Sequence, residues 1–167
     1  MRAAIEVDEP ADRVWAVLGD YRRDPEWRAG VSTMDPAPPG PAATGQTTDE
    51  RMRFAGRGYR NGGRVESVGP GRELRWRTTS GVDADGTRAV DELPGGRSRV
   101  RVETRVRPHG MDRLFAPVLG PLLRRRLRAD LRRLRDLAGA PGRERHSSNQ
   151  VGREPPSSNR PDRPGRR

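Results

Sequence analysis

From Thr47 to Arg107 the chain alternates between side chains that avoid water and side chains that seek it. Period two is the mark of a strand with one packed face and one wet face. Val100, Val102, Thr104 and Val106 alternate with Arg99, Arg101, Glu103, Arg105 and Arg107, which makes this the clearest strand. Leu74, Trp76 and Thr78 oppose Glu73, Arg75 and Arg77 in the same way. Tyr59, Asn61, Val65 and Ser67 alternate with Arg60, Arg64 and Glu66, while Met52 and Phe54 share one face of an earlier strand and Arg51, Arg53 and Arg57 the other. Gly69-Pro70-Gly71, Asp83 to Gly86 and Pro94-Gly95-Gly96 supply turns, and Gly56 and Gly58 read as a bend or bulge. Thr87 to Leu93 admits two registers, with either Val90 or the set Ala89, Asp91 and Leu93 on the dry side. Such a sheet is antiparallel and needs a cover on one face only.

Helical patterns stand at both ends of the strand region. Arg2 to Val7 reads as a first strand, and Glu9-Pro10 then opens a helix, since proline at the first helical position gives up no needed donor and has its φ already set. Ala11, Val14, Trp15 and Leu18 form its apolar face and Gly19 stops it. A second helical turn is expected within Tyr21 to Trp27, followed by a loop over Pro36 to Gly45. Asp20 and Asp24 flank the first helix's end, where capping and turn chemistry account for them. Met111 to Ala138 reads as one long helix with two apolar stripes. Met111, Leu114, Phe115, Val118, Leu119 and Leu122 form the first; Leu123, Leu127, Leu131, Leu134 and Ala138 form the second. Arg124, Arg125, Arg128, Arg132 and Arg135 fall on the solvent side, and Arg126 and Arg132 precede Asp130 and Asp136 by four residues.

Composition narrows the function classes. Residues 1–138 are long enough to bury a real core, whereas Gly139 to Arg167 holds almost no apolar residue and is expected to be a disordered, Arg/Pro/Ser/Gly-rich tail. Net charge is +11, of which the tail supplies +4 from seven arginines against Glu144, Glu154 and Asp162. All 34 basic residues are arginine, a uniformity that points to coding bias more than to a selected binding patch. There is no cysteine, and with only His109 and His146 no metal spacing is present. His109, between Pro108 and Gly110, reads as a turn residue. The expectation is a protein without metal or cofactor, cytoplasmic, not inserted in a membrane and without a specific nucleic-acid partner.

Strand, two short helices, six further strands and a long C-terminal helix is the order of the helix-grip fold, an α+β arrangement in which a curved antiparallel sheet of about seven strands wraps a terminal helix. The pattern Pro10-x3-Val14-Trp15-x2-Leu18-x-Asp20-x6-Trp27, with Arg72-Glu73-Leu74-Arg75-Trp76 and Gly95-Gly96, resembles the polyketide cyclase/dehydrase-like branch of the SRPBCC superfamily. That superfamily also holds StAR-related (START) lipid-transfer domains and birch-pollen-type allergens. The resemblance covers about residues 1–138, departs at Arg97-Ser98 where a threonine is usual, and brings no universal catalytic motif. It implies a cavity between sheet and helix for a small hydrophobic or amphipathic molecule, lipid-like or polyketide-like.

Alternation and helix position select Trp27, Met52, Phe54, Tyr59, Leu74, Trp76, Val100, Val102, Phe115, Leu119 and Leu122 as candidate ligand contacts, with Val65 beside them. Tyr59 and Trp76 suit this role best, because each joins an apolar ring to a polar tip. Burying about eight ligand CH2 groups at ~0.8 kcal/mol each would give roughly 6 kcal/mol before ordering costs. Tyr59, Asn61 and Asp91 are the candidate acid/base groups, and an inward carboxylate would make a plausible base. Three readings follow: binding of a small hydrophobic molecule, which is favoured; a polyketide cyclase/dehydrase-type enzyme; and an arginine-rich module for anionic surfaces or nucleic acid. An inward carboxylate or tyrosine paired to a second polar group separates the second from the first.

Overall fold

The computed structural model describes residues 1–107 and 112–140, with residues 112–119 described by their helical backbone alone. Strand β1 (Arg2–Val7) leads into α1 (Ala11–Leu18), a single 3-10 turn (Tyr21–Arg23) and the one-turn helix α2 (Asp24–Trp27). Strands β2 (Val31–Ala37), β3 (Thr47–Phe54), β4 (Arg57–Gly69), β5 (Glu73–Ser80), β6 (Ala84–Leu93) and β7 (Arg97–Val106) follow, and α3 (Asp112–Gly139) ends the order. The seven strands form one antiparallel sheet in the order β1-β7-β6-β5-β4-β3-β2. It curls into a half-barrel beside α3, so the architecture is the α+β helix-grip arrangement, with short helices after the first strand.

Local chemistry accounts for most boundaries. Pro10 caps α1 with φ −58° and ψ 146°, one position earlier than the sequence reading placed it, and Gly19 closes the helix by donating its N–H to the Trp15 carbonyl at 2.8 Å. Asp20 caps the 3-10 turn by accepting from the Arg22 N–H. Ala55 and Gly56, with φ of 49° and 79°, form the two-residue turn of the β3–β4 hairpin, in which Phe54 faces Arg57. The expected bend or bulge at Gly56 is thus a hairpin turn, because two successive positive φ values match the twist of the flanking strands.

Pairing settles the one open register. Val90 faces Val100 and Arg88 faces Val102, all four side chains buried, so the inner row of β6 is Ala84, Gly86, Arg88 and Val90. One core then joins Val7, Val14, Leu18, Trp27, Val90, Val100 and Val102 to Leu131, Leu134 and Ala138 of α3. A second, smaller cluster joins Tyr21, Val31, Met34, Val65 and Leu74, with Trp15, Met52 and Trp76 packed at its margin. Trp15 is therefore half-buried between the two clusters, and Val17 takes the interior position that the helix-face reading left out. The second apolar stripe of α3 meets the sheet; Leu122 of the first stripe, expected to face inward, is 45% exposed. At 100° per residue it lies well round the helix from Leu131 and Leu134.

Candidate functional site

On the concave face, two-residue periodicity brings Glu50, Met52 and Phe54 of β3 alongside Tyr59 and Asn61 of β4, with Glu50 opposite Asn61 and Met52 opposite Tyr59. Farther along the same face stand Leu74 and Trp76 of β5 and Gly86 of β6, the last directly opposite Trp76. A Cβ on Gly86 would lie 3.0 Å from the Trp76 ring and collide with the Glu103 carbonyl, so the indole rests against a bare stretch of backbone. Its Nε1 has no hydrogen-bond partner among the described residues, nor has that of the buried Trp27. Met52, Phe54, Tyr59 and Trp76 are all half-buried.

The floor beside this row is ionic. Arg88 places both terminal nitrogens on the Asp24 carboxylate at 2.7 and 2.6 Å and donates to the Leu18 carbonyl at 3.2 Å. Its guanidinium also stacks 4.5 Å from the Tyr21 ring centre and 5.3 Å from that of Trp27. Arg28, four residues after Asp24, reaches the same carboxylate at 2.8 Å and Glu50 at 2.7 Å. Asn61 donates to Glu50 at 2.8 Å and accepts from the Val82 N–H at 3.0 Å, which fixes its amide orientation. The result is a chain of alternating charge, Arg88, Asp24, Arg28, Glu50, ending on Asn61. Asp24 and Arg88 are sealed, whereas the Arg28 side chain is 25% exposed at the open end.

Electrostatics follow from that geometry. Burial alone would push the Asp24 carboxyl up, but Arg88 and Arg28 outweigh it and hold the group below the usual carboxylate range. Burial opposes the charged form of Arg88 as well, and Asp24 more than offsets it, so both partners stay ionised. Tyr21 is pushed up to about 12, mainly by burial, and is therefore a neutral ring beneath the guanidinium.

Most residues selected from sequence have a definite place. Met52, Phe54, Tyr59 and Trp76 form the half-buried row, and Asn61 lies among them on the inner face, 6% exposed. Trp27, Leu74, Val100 and Val102 are packed within the core. Phe115 and Leu119 lie outside the described side chains, as does His109, and Leu122 faces solvent. Asp91 is corrected: its neighbour Val90 takes the interior, so its own carboxylate points outward to Arg101 at 2.5 Å, and the hydrogen bond from that guanidinium lowers its pKa. Asp24 is corrected too, from a turn residue to the anchor of a buried ion pair. Glu50, Arg28 and Arg88 were not selected, although a signal pointed to each of the first two. Glu50 has the parity of Met52 and Phe54, and Asp24 and Arg28 stand at helical i,i+4 spacing.

The described residues wall open grooves rather than an enclosed chamber at two places. One, of about 580 Å3, is lined by Ser32, Arg51, Met52, Arg53, Gly58, Tyr59 and Arg60, and so includes two of the residues selected from sequence; another, of about 500 Å3, lies against Pro121, Arg124, Arg125, Arg128 and Arg132 of α3. No group of three metal-ligating side chains occurs among the described residues, and no described helix is long and apolar enough to cross a membrane.

A curled sheet gripping a helix, with an aromatic and ionic inner face, defines the class of helix-grip domains. Within it the chain belongs to the polyketide cyclase / dehydrase and lipid transport family, whose profile matches residues 1–139. The fold is similar to that of Zhui aromatase/cyclase from Streptomyces sp. R1128, with a TM-score of 0.69 and 19% identity over 83% of this chain and 92% of that one. A protein from Thermus thermophilus is similar at a TM-score of 0.66 and 15% identity, over 83% and 95% of the two chains. The di-domain StfQ from the steffimycin biosynthetic pathway is matched at 0.63 and 14% identity over 83% of this chain, which spans 44% of that protein. At these identities the likenesses establish the fold. No curated protein matches the sequence.

Proposed function

We propose that the protein binds a small hydrophobic or amphipathic molecule, polyketide-like or lipid-like, on the concave face that the sheet presents toward α3. The observation that carries this reading is the row Met52, Phe54, Tyr59 and Trp76, which faces inward yet stays half-buried beside a fully packed core. Large apolar side chains left incompletely covered on a concave face are a surface that a ligand completes. Family membership supports the ligand class. The test is uptake of a fluorescent fatty acid or polycyclic aromatic probe. Trp76→Ala is expected to weaken uptake about tenfold or more, as loss of a contacting aromatic ring should, while Arg75→Ala on the outer face leaves it unchanged. Equal effects would refute the site.

A second reading, cyclase chemistry, is favoured by one specific arrangement: an inward carboxylate, Glu50, joined to both Asn61 and Arg28. In that reading Glu50 accepts a proton from an enolisable carbon of the bound chain, and Arg28 stabilises the oxygen that gains the charge. Glu50→Gln would then abolish turnover of a poly-β-ketone substrate while sparing probe uptake. Loss of both together would make Glu50 a structural residue.

A further inference from the structure

Most arginines on the outer face of the sheet are neutralised where they stand. Arg60 meets Asp49, Arg77 meets Glu66, Arg99 meets Glu6, Arg101 meets Asp91, and Arg107 meets Asp83 and Asp85. Helix α3 is different. Arg126 and Arg133 share Asp130, and Arg135 takes Asp136, so the expected pairing of Arg132 with Asp136 is not made. Arg124, Arg125, Arg128 and Arg132 have no carboxylate partner among the described residues, and all four are exposed. At 100° per residue they fall within an arc of about 100°, and from first to last they span about 12 Å of helix. With Pro121 they wall the groove of about 500 Å3. Leu131 and Leu134, on the adjoining flank, are sealed against the core, whereas these four arginines stand in solvent.

A row of unpaired guanidiniums needs a negative complement, and the described residues offer none. The segment after Ala140 carries seven arginines against three acids, and a second copy would bring its own net charge of +11; both repel. A base-stacking partner is disfavoured, since residues 120–140 contain no aromatic side chain. Beside the arginines, Leu122 is one of two large apolar side chains exposed among the described residues. Guanidiniums that take phosphates in bidentate fashion, next to an exposed leucine, match the boundary between lipid headgroups and acyl chains. We propose that the outer face of α3 docks on an anionic phospholipid surface, with Arg124, Arg125, Arg128 and Arg132 on headgroup phosphates and Leu122 at the acyl boundary. The contact is peripheral, with the apolar stripe of α3 staying on the sheet. It does not depend on what the concave face binds.

The experiment is flotation of the full chain with vesicles of phosphatidylcholine alone or mixed with phosphatidylserine, at low and high salt. Binding is expected only with phosphatidylserine present, and it weakens as salt rises. Each arginine at a bilayer surface contributes roughly fivefold. Changing Arg124, Arg125, Arg128 and Arg132 together to Gln should thus cost about a hundredfold or more, and Arg128→Glu alone about tenfold. The control changes Arg51, Arg53, Arg57 and Arg64 to Gln, which removes the same charge from the sheet and should cost far less. An equal loss in the control would reduce the effect to net charge and overturn the proposal. Full retention by the α3 variant would assign binding to the segment after Ala140, with the same consequence. So would vesicle binding absent at low salt, or an α3-dependent affinity for duplex DNA exceeding that for vesicles.

Discussion

Asp24 shows how one carboxylate can hold a domain together. It is fully buried, bidentate to Arg88 and shared with Arg28, and it ties α2 to β6 across 64 residues of chain. Removing one member of such a pair leaves an uncompensated buried charge, so Asp24→Asn is expected to cost about 3–5 kcal/mol in urea unfolding. Replacing Asp24 by Leu and Arg88 by Met together should recover most of that loss, since a buried pair is often matched by apolar residues of similar volume. A single mutant within 1 kcal/mol of the wild type, on the order of an exposed pair, would refute this role. The pH dependence has a definite sign. Because the folded state holds Asp24 below its ordinary value of about 3.9, its contribution is complete above that pH and is lost as pH falls through the lower, folded value. Asp130 works in the opposite sense, since burial raises its pKa. Urea midpoints of wild type and Asp24→Asn should therefore converge as pH falls from 7 toward 3.

Strand β6 and helix α3 show where local pattern stops deciding. Along β6 the alternation is ambiguous because the inward row contains Arg88 and Gly86, neither of which reads as core. A guanidinium can face inward only because α2 brings a carboxylate to it, and a glycine sits there because the Glu103 carbonyl and the Trp76 ring together occupy the space of a side chain. Gly86→Val should cost about 1–3 kcal/mol through overpacking and should shift Trp76 emission to longer wavelength as the ring is displaced; unchanged emission would show that the indole does not rest there. Helix α3 is placed by a second device. Arg126 lies 5.4 Å above the Phe54 ring and donates to the Arg53 carbonyl at 3.3 Å, while Asp130 accepts the Ala29 N–H at 3.0 Å. Gly30, with φ of 102°, leaves the space that Arg126 fills. The i,i+4 spacing of Arg126 and Asp130 was visible in the sequence; that the pair latches the helix to the start of β2 was not.

In the molecule as a whole, α1, α2 and the C-terminal half of α3 close one end of the half-barrel, where Leu131 and Leu134 complete the larger core. Leu134→Ala should accordingly cost about 2–5 kcal/mol in thermal or urea unfolding. A negligible loss would mean that the helix is not gripped. The order of elements, the antiparallel sheet and the second apolar stripe of α3 were legible in the sequence, because periods of 2 and 3.6 report which side of an element meets water. Glycine and proline positions marked most of the turns, through their restricted or extended range of φ. The polar interior was not legible in the same way. Periodicity tells a residue which face it occupies but not which residue from another element will stand opposite, and the energy of a buried charge depends on that partner. Met52, Phe54, Tyr59 and Trp76 were thus found by parity alone, whereas Arg88, Asp24, Arg28 and Glu50 became one network only when the curl of the sheet brought β3 and β6 against α2.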